Sequence, residues 1–225
     1  MLFAPAETFE DIARKPDFVL PLVLILLISF VSTLILVPKI DFAESFRQQM
    51  EQQNKNMSPQ DVERAAKMGA AFGKVMAYTG PIWGIAILVI IAAVLMLAFR
   101  LFGGEGTFMQ SFSVTLYSWI PMCLFSIVTT IVVFSRESID PTQMQTLVKS
   151  NPAFLVEMKT NPMLYSLLTS LDIFTIWTLI LLTIGFAAVS RFSKVKSAVI
   201  IVSLWLATVV VKLGFAALGA ARMKA

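Results

Sequence analysis

The sequence predicts an all-α membrane protein, a bundle of five transmembrane helices with short amphipathic helices in its two long loops. Hydrophobic residues make up 57% of the 225-residue chain and charged residues only 14%, whereas ordinary globular domains carry about 25% charged residues. The mean hydropathy is +0.80. Long uncharged runs recur along the chain, so we expect lipid to surround a single membrane domain over residues 1–225.

A polar segment precedes the first apolar run. Thr8 and Asp11 have the spacing of a capping box, and Phe9 and Ile12 fall on one side of the helix that would follow. The segment is therefore predicted to form a short amphipathic helix lying on the membrane and ended by Pro16, the alternative being a disordered tail.

The first span is predicted at 18–37, a run of twenty residues without a charge. At 1.5 Å per residue this length crosses a hydrocarbon core of about 30 Å. A signal peptide has a shorter core and a small-residue cleavage site, so we expect the span to be retained. Pro21 falls in its first turn, where proline is tolerated.

The first long loop contains a helix start at Ser58-Pro59, where serine caps and proline occupies the first turn. Apolar residues then recur at helical spacing up to the second span, predicted at 78–99 and interrupted early by Pro81. Two G-x-x-x-G pairs in this stretch are candidate helix-packing positions, because such spacing lets two backbones approach closely. The alternative is chance in an Ala/Gly-rich segment. The pairs are Gly69 with Gly73, and Gly80 with Gly84.

The third span, predicted at 113–134, contains many hydroxyl groups, and Pro121 inside it predicts a kink. These hydroxyls either serve local packing or line a path for a polar solute. The second long loop then carries three pairs of a capping residue and a proline. They predict two short helices and a third start that runs directly into the fourth span. The pairs are Asp140-Pro141, Asn151-Pro152 and Asn161-Pro162.

The last two spans, predicted at 173–189 and 198–218, form a hairpin around a short basic turn. Asp172 opens the fourth span, and Lys212 lies about 9 Å from the end of the fifth. Because both residues fall towards the same side of the membrane, they are a candidate intramembrane ion pair. Lys212 can instead snorkel to the surface, or the pair can serve transport or a proton relay.

The basic residues predict the orientation only through the shortest loop. Five spans place the two termini on opposite sides of the membrane. The larger number of Lys and Arg residues falls on the side away from the N-terminus. The positive-inside rule, however, gives most weight to short loops, and the densest cluster is Arg191, Lys194 and Lys196. A cytoplasmic N-terminus follows.

The composition excludes several kinds of chemistry. The chain has no histidine and one cysteine, Cys123, so histidine metal sites and histidine-based catalytic dyads or triads are impossible. Asp172 is the only acid in or at the edge of a span, although an aspartyl dyad needs two. We therefore expect a protein that is not an enzyme and that has no cofactor and no metal. Its modest net charge of +4 fits anionic headgroups and not nucleic acid.

Three segments of the sequence together resemble one family, the YIP (Ypt/Rab-interacting protein) domain family, in its bacterial branch. Tyr117, Trp119, Pro121, Trp177 and Gly185 are the family-like positions inside the spans. The segments are Pro5-x-x-Thr8-Phe9-x-x-Ile12-x-x-x-Pro16, Tyr117-x-Trp119-x-Pro121, and Leu171-Asp172-Ile173-Phe174-x-x-Trp177 through Gly185 with the following turn at 194–198.

The resemblance implies five helices in a bacterial inner membrane, a cytoplasmic N-terminus and a C-terminus across the membrane. Eukaryotic members are associated with Rab GTPases and vesicle traffic. The acidic Asp-Leu-Tyr-Gly-Pro segment that those members carry before the first span is missing here, so the resemblance does not extend to Rab binding. The bacterial branch implies no agreed activity.

Two functions fit the sequence. The first is a non-enzymatic organiser or adaptor that acts through helix–helix or lipid contacts, with the lipid bilayer, other membrane proteins or a second copy as partners. The alternative is a small transporter or channel that uses the polar third span and Asp172. The G-x-x-x-G spacings and the lack of catalytic groups favour the organiser.

Overall fold

The fold is a bundle of long helices, shown by a computed structural model that describes residues 4–53, 57–139, 146–158 and 160–224. Short 3-10 turns lie at Val37–Lys39 and Pro152–Leu155. The α-helices of the described ranges are α1 (Pro5–Arg14), α2 (Val19–Leu36), α3 (Phe42–Gln53), α4 (Pro59–Leu101), α5 (Phe108–Ser118), α6 (Ile120–Phe134), α7 (Pro162–Leu168), α8 (Ile173–Ser190) and α9 (Lys194–Lys224).

Five segments of the described chain are long and apolar enough to cross a membrane, which confirms the predicted class. Tight turns join α4 to α5 and α8 to α9 at the end of the bundle where α1 packs, here called the N-terminal face. The longer connections and α3 and α7 belong to the opposite face. The candidate spans are Val19–Lys39, Pro59–Leu101, Phe108–Phe134, Ile173–Ser190 and Lys194–Ala220.

The second span lies within a helix far longer than the membrane requires. Ser58 caps α4 as predicted, its hydroxyl accepting from the Asp61 amide at 3.2 Å. The helix then runs for 43 residues through Pro81, or about 65 Å, against roughly 30 Å of hydrocarbon. The predicted interruption at Pro81 is therefore wrong, and about half of α4 projects beyond the span. This projecting half packs against α3, a helix that the sequence did not predict.

The third span has a one-residue interruption between α5 and α6. α5 begins at Phe108, earlier than predicted, because Thr107 and Gln110 form a capping box. It ends at Ser118, and after Trp119 the chain restarts as α6 with Pro121 in its first turn. The disturbance expected at Pro121 is thus a one-residue interruption at Trp119, whose backbone stays in the right-handed helical region. Phe108–Phe134 remains one continuous span, in which Pro121 supplies no N–H to the helical hydrogen bonds.

α1 differs from its prediction in two ways. It begins at Pro5, and the Thr8 hydroxyl donates back to the Ala4 carbonyl at 3.1 Å, so Thr8 caps nothing. Its apolar side does not rest on lipid alone, because Phe9 and Ile12 are buried in a core cluster shared with α4, α5, α8 and α9. Tertiary packing has taken over the face that amphipathicity assigned to the membrane surface.

The second long loop follows the prediction in part. Asn151 caps the 3-10 turn, accepting from the Ala153 amide at 3.1 Å, and Asn161 caps α7. Contrary to the prediction, α7 stops at Leu168 after seven residues and does not run into the fourth span. Asp172 instead caps α8 separately. The predicted helix at Asp140-Pro141 lies outside the described residues.

Candidate functional site

Most hydroxyls of the third span serve local packing. Those of Ser113, Thr115 and Thr130 donate to carbonyls four residues earlier, at 2.8–2.9 Å. The Ser32 hydroxyl of α2 lies 3.0 Å from the Ser126 hydroxyl and 2.9 Å from that of Thr130, and it donates to Thr130, whose own proton is already used. Hydroxyls bonded in this way hold helices together.

Asp172 is a buried helix cap with every acceptor position used. One carboxylate oxygen accepts from the backbone amides of Phe174 and Thr175, at 2.9 and 3.4 Å. The other accepts from the Ser150 hydroxyl and from the Asn151 amide, the latter at 3.4 Å. These bonds tie the start of α8 to the second long loop and stabilise the negative charge at the helix N-terminus.

Lys212 lies opposite Asp172 but bonds to neutral groups. Its ammonium donates to the Thr169 hydroxyl at 2.7 Å and to the Ser170 hydroxyl at 3.3 Å. None of the salt bridges of 4.0 Å or less in the described chain joins it to Asp172. Both side chains line one cavity of about 280 Å³. Their ion pair therefore stays a prediction, now about two charges that face each other across a cavity.

A second cavity of about 420 Å³ adjoins the first, and Met122 and Thr175 line both. Its walls come from α4, α6, α8 and α9 and are largely apolar. Sequence reasoning missed this space, because no local pattern reports a gap between helices that are distant along the chain.

The four candidate packing glycines divide into two pairs. An added Cβ at Gly69 would come within 2.7 Å of the Phe46 ring, and one at Gly73 within 2.9 Å of Phe42. The first pair thus receives the aromatic side of α3. Gly80 and Gly84 have no atom within 4 Å of an added Cβ in the described chain, so their packing role stays a prediction about a partner outside it.

Three of the five family-like positions contact the core cluster into which α1 docks. An added Cβ at Gly185 would lie 2.4 Å from Val114 and 2.9 Å from the Phe9 ring, so only glycine fits there. Tyr117 and Trp177 pack against the same core cluster. The remaining two positions, Trp119 and Pro121, lie at the one-residue interruption between α5 and α6.

α1 also forms one wall of a polar cavity of about 670 Å³ at the N-terminal face. Glu105 and Arg191 lie in its wall as an exposed ion pair at 3.2 Å. Gln110 ties α1 to α5 by donating to the Ala13 carbonyl at 2.6 Å. The charged side chains of its wall are three basic and two acidic ones, an excess of one positive charge.

The described residues contain no group of three His, Cys, Asp or Glu residues able to hold a metal, and Cys123 is buried. Five apolar helices around helix-capping and hydroxyl networks define a multi-pass α-helical membrane protein. A family model, the Yip1 domain, matches residues 1–216, and the chain belongs to this family. The family is not known as enzymatic. No curated protein and no solved structure matches the chain significantly.

Proposed function

We propose that the protein is a non-enzymatic organiser or adaptor of the membrane, acting as one domain through helix–helix contacts. An open face on α4 carries this proposal. Apolar residues and two glycines recur there at helical spacing. In the described chain the apolar side chains are exposed, and no atom lies within 4 Å of a Cβ added at either glycine. The residues of this open α4 face are Phe72, Met76, Gly80, Trp83, Gly84 and Ile87.

The open α4 face suits another helix better than lipid alone. Gly80 and Gly84 leave a shallow groove in which a second backbone can approach closely, and Met76, Trp83 and Ile87 provide apolar contact beside it. The face extends past the span to Phe72, because α4 continues beyond the membrane. A second copy of the chain, presenting the same face, is the partner we test, and other membrane proteins are further candidates.

We place the protein in the bacterial inner membrane with the N-terminal face in the cytoplasm. Arg14, Arg191, Lys194 and Lys196 support this orientation, because α1 and the tight turn after α8 hold them at that face. Basic side chains near span ends favour the cytoplasmic side.

The test measures self-association in lipid. In a Cys123→Ala background, Met76→Cys should form a disulfide-linked dimer in native membranes. Replacing both Gly80 and Gly84 with isoleucine should weaken dimerisation in bicelles by about tenfold, or about 1.4 kcal/mol, because the branched side chains hold the helices apart. Gly214→Ile is the matched control, since Gly214 lies on α9 with equally open surroundings.

Equal dimerisation of the Gly80/Gly84 double variant and the Gly214 control would contradict assembly through this face. The alternative, a small transporter or channel, has less support because most third-span hydroxyls are bonded to carbonyls or to Ser32. The hydroxyls of Ser118 and Thr129 have no partner in the described chain and are the ones that a solute path would use. Solute flux into reconstituted liposomes that is lost in a Ser118/Thr129 variant would favour it over the organiser.

A further inference from the structure

The two adjoining cavities follow one another across the membrane. The polar one lies nearer the surface and the apolar one lies deeper, as the headgroup and an acyl chain of a lipid do. Asp172 and Lys212 mark the smaller, polar cavity, and Thr178 and Leu182 line the larger, apolar one. Along α8, Thr178 lies about 9 Å and Leu182 about 15 Å deeper in the bundle than Asp172. The polar cavity is therefore near the opposite face, and the apolar cavity reaches towards the middle of the bilayer.

The charges of the polar cavity leave a place for an anion. The Lys212 ammonium has three protons to donate, and its acceptors in the described chain are two neutral hydroxyls. The Asp172 carboxylate already accepts four bonds. A lysine at membrane depth is costly unless an opposite charge meets it, so an anionic group that contacts Lys212 directly is stabilising.

Two buried hydroxyls in the walls of these cavities have no partner among the described residues. Thr129 lines the polar cavity and Thr178 lines the apolar one. Each is 5% exposed, and neither hydroxyl has a hydrogen-bond partner in the described chain. Buried polar atoms without partners are rare in folded proteins, but these two oxygens are shielded from the cavities and do not identify an occupant.

We propose that the two cavities together bind one glycerophospholipid, with its phosphate on Lys212 and one acyl chain in the apolar cavity. The apolar cavity, about 420 Å³, falls within the ordinary range of ligand sites, about 300–1,000 Å³. The negative charge of Asp172 beside the phosphate favours a headgroup that carries a compensating ammonium. The site therefore prefers a zwitterionic phospholipid to an anionic one. It does not depend on the open α4 face.

The experiment is native mass spectrometry of the full chain in detergent with added phosphatidylethanolamine, phosphatidylcholine or phosphatidylglycerol. Lys212→Met should reduce binding of the first two by about tenfold, the loss expected for one charge-assisted hydrogen bond, and Lys212→Arg should restore it. Lys149→Met is the matched control, because it removes the same charge from an exposed position near the opposite face.

A second variant tests the acyl chain separately. Thr208 is exposed at the wall of the apolar cavity, so Thr208→Trp should fill the cavity without disturbing the core. Binding of all three phospholipids should fall in this variant. If Lys212→Met does not fold, Thr208→Trp decides whether a chain occupies the cavity.

Three results would overturn the proposal: unchanged binding in Thr208→Trp, equal losses in Lys212→Met and Lys149→Met, or phosphatidylglycerol bound as tightly as the zwitterionic lipids. Inorganic phosphate alone is the last ligand to be added in the same experiment. Binding of inorganic phosphate that is lost in Lys212→Met, with none of the three phospholipids bound, would show a site for free phosphate and would refute lipid binding.

Discussion

Gly185 is the point of closest approach between three helices. It lies on α8, and the space that a side chain would need is filled by Val114 of α5 and by the Phe9 ring of α1. Phe9 is fully buried there. The absence of a Cβ at this one position therefore allows an N-terminal helix of ten residues to become part of the membrane core.

Replacing Gly185 with alanine should destabilise the protein by about 1–3 kcal/mol, the usual effect of overpacking a filled core. The new Cβ would force Val114 and Phe9 apart. The free energy of unfolding in mixed micelles measures this effect. Gly214→Ala is the control in open surroundings, where alanine should stabilise the helix by up to about 1 kcal/mol. Equal stability of the two variants would refute the packing explanation.

Asp172 and Lys212 are predicted to attract each other across their cavity. Asp172→Ala should lower stability and abundance, since the loss of the cap alone costs about 1 kcal/mol. Adding Lys212→Met should restore part of this, because the half-buried Lys212 ammonium, left without the Asp172 carboxylate, is then removed. Unfolding measurements on both single variants and the double variant test this. A double variant no more stable than Asp172→Ala would show that the two charges do not interact.

At the scale of elements, local chemistry made some features predictable. The first and fourth spans were placed within a residue or two because their ends coincide with the ends of apolar runs. Ser58 with Pro59 indicated the start of α4, and Pro121 indicated a disturbance in the third span. Each of these signals acts within one helical turn, so the sequence alone contains it.

Elements that depend on distant contacts were missed. α3 is a polar segment by composition, and it is held by Phe42 and Phe46, which pack on Gly73 and Gly69 of α4. The spacing of Phe42 and Phe46 is visible in the sequence, but the glycine groove of α4 that receives them is not. The docking of α1 and the two adjoining cavities were missed for the same reason. Predicting them requires the relative positions of helices, which hydropathy does not determine.

The whole molecule is asymmetric about the membrane. Its N-terminal face is closed by two tight turns and by α1, whereas the opposite face carries α3, the projecting half of α4 and the second long loop. Lys39 secures that face, because its ammonium donates to three carbonyls at the end of α6 and complements the helix dipole. The surfaces offered to soluble partners thus differ completely between the two sides.

Which compartment meets each face is the last prediction. Single cysteines placed in a Cys123→Ala background at Lys15 and Lys194 mark the N-terminal face, and those at Gln60 and Glu157 mark the opposite face; all four positions are exposed. An impermeant maleimide added to intact cells expressing each variant should label only Gln60→Cys and Glu157→Cys. Lysis should expose the other two, because the basic turn after α8 favours the cytoplasm. Labelling of Lys15→Cys in intact cells would invert the orientation, and labelling of Lys15→Cys and Gln60→Cys from one side would contradict the crossing by α2, the one span between them.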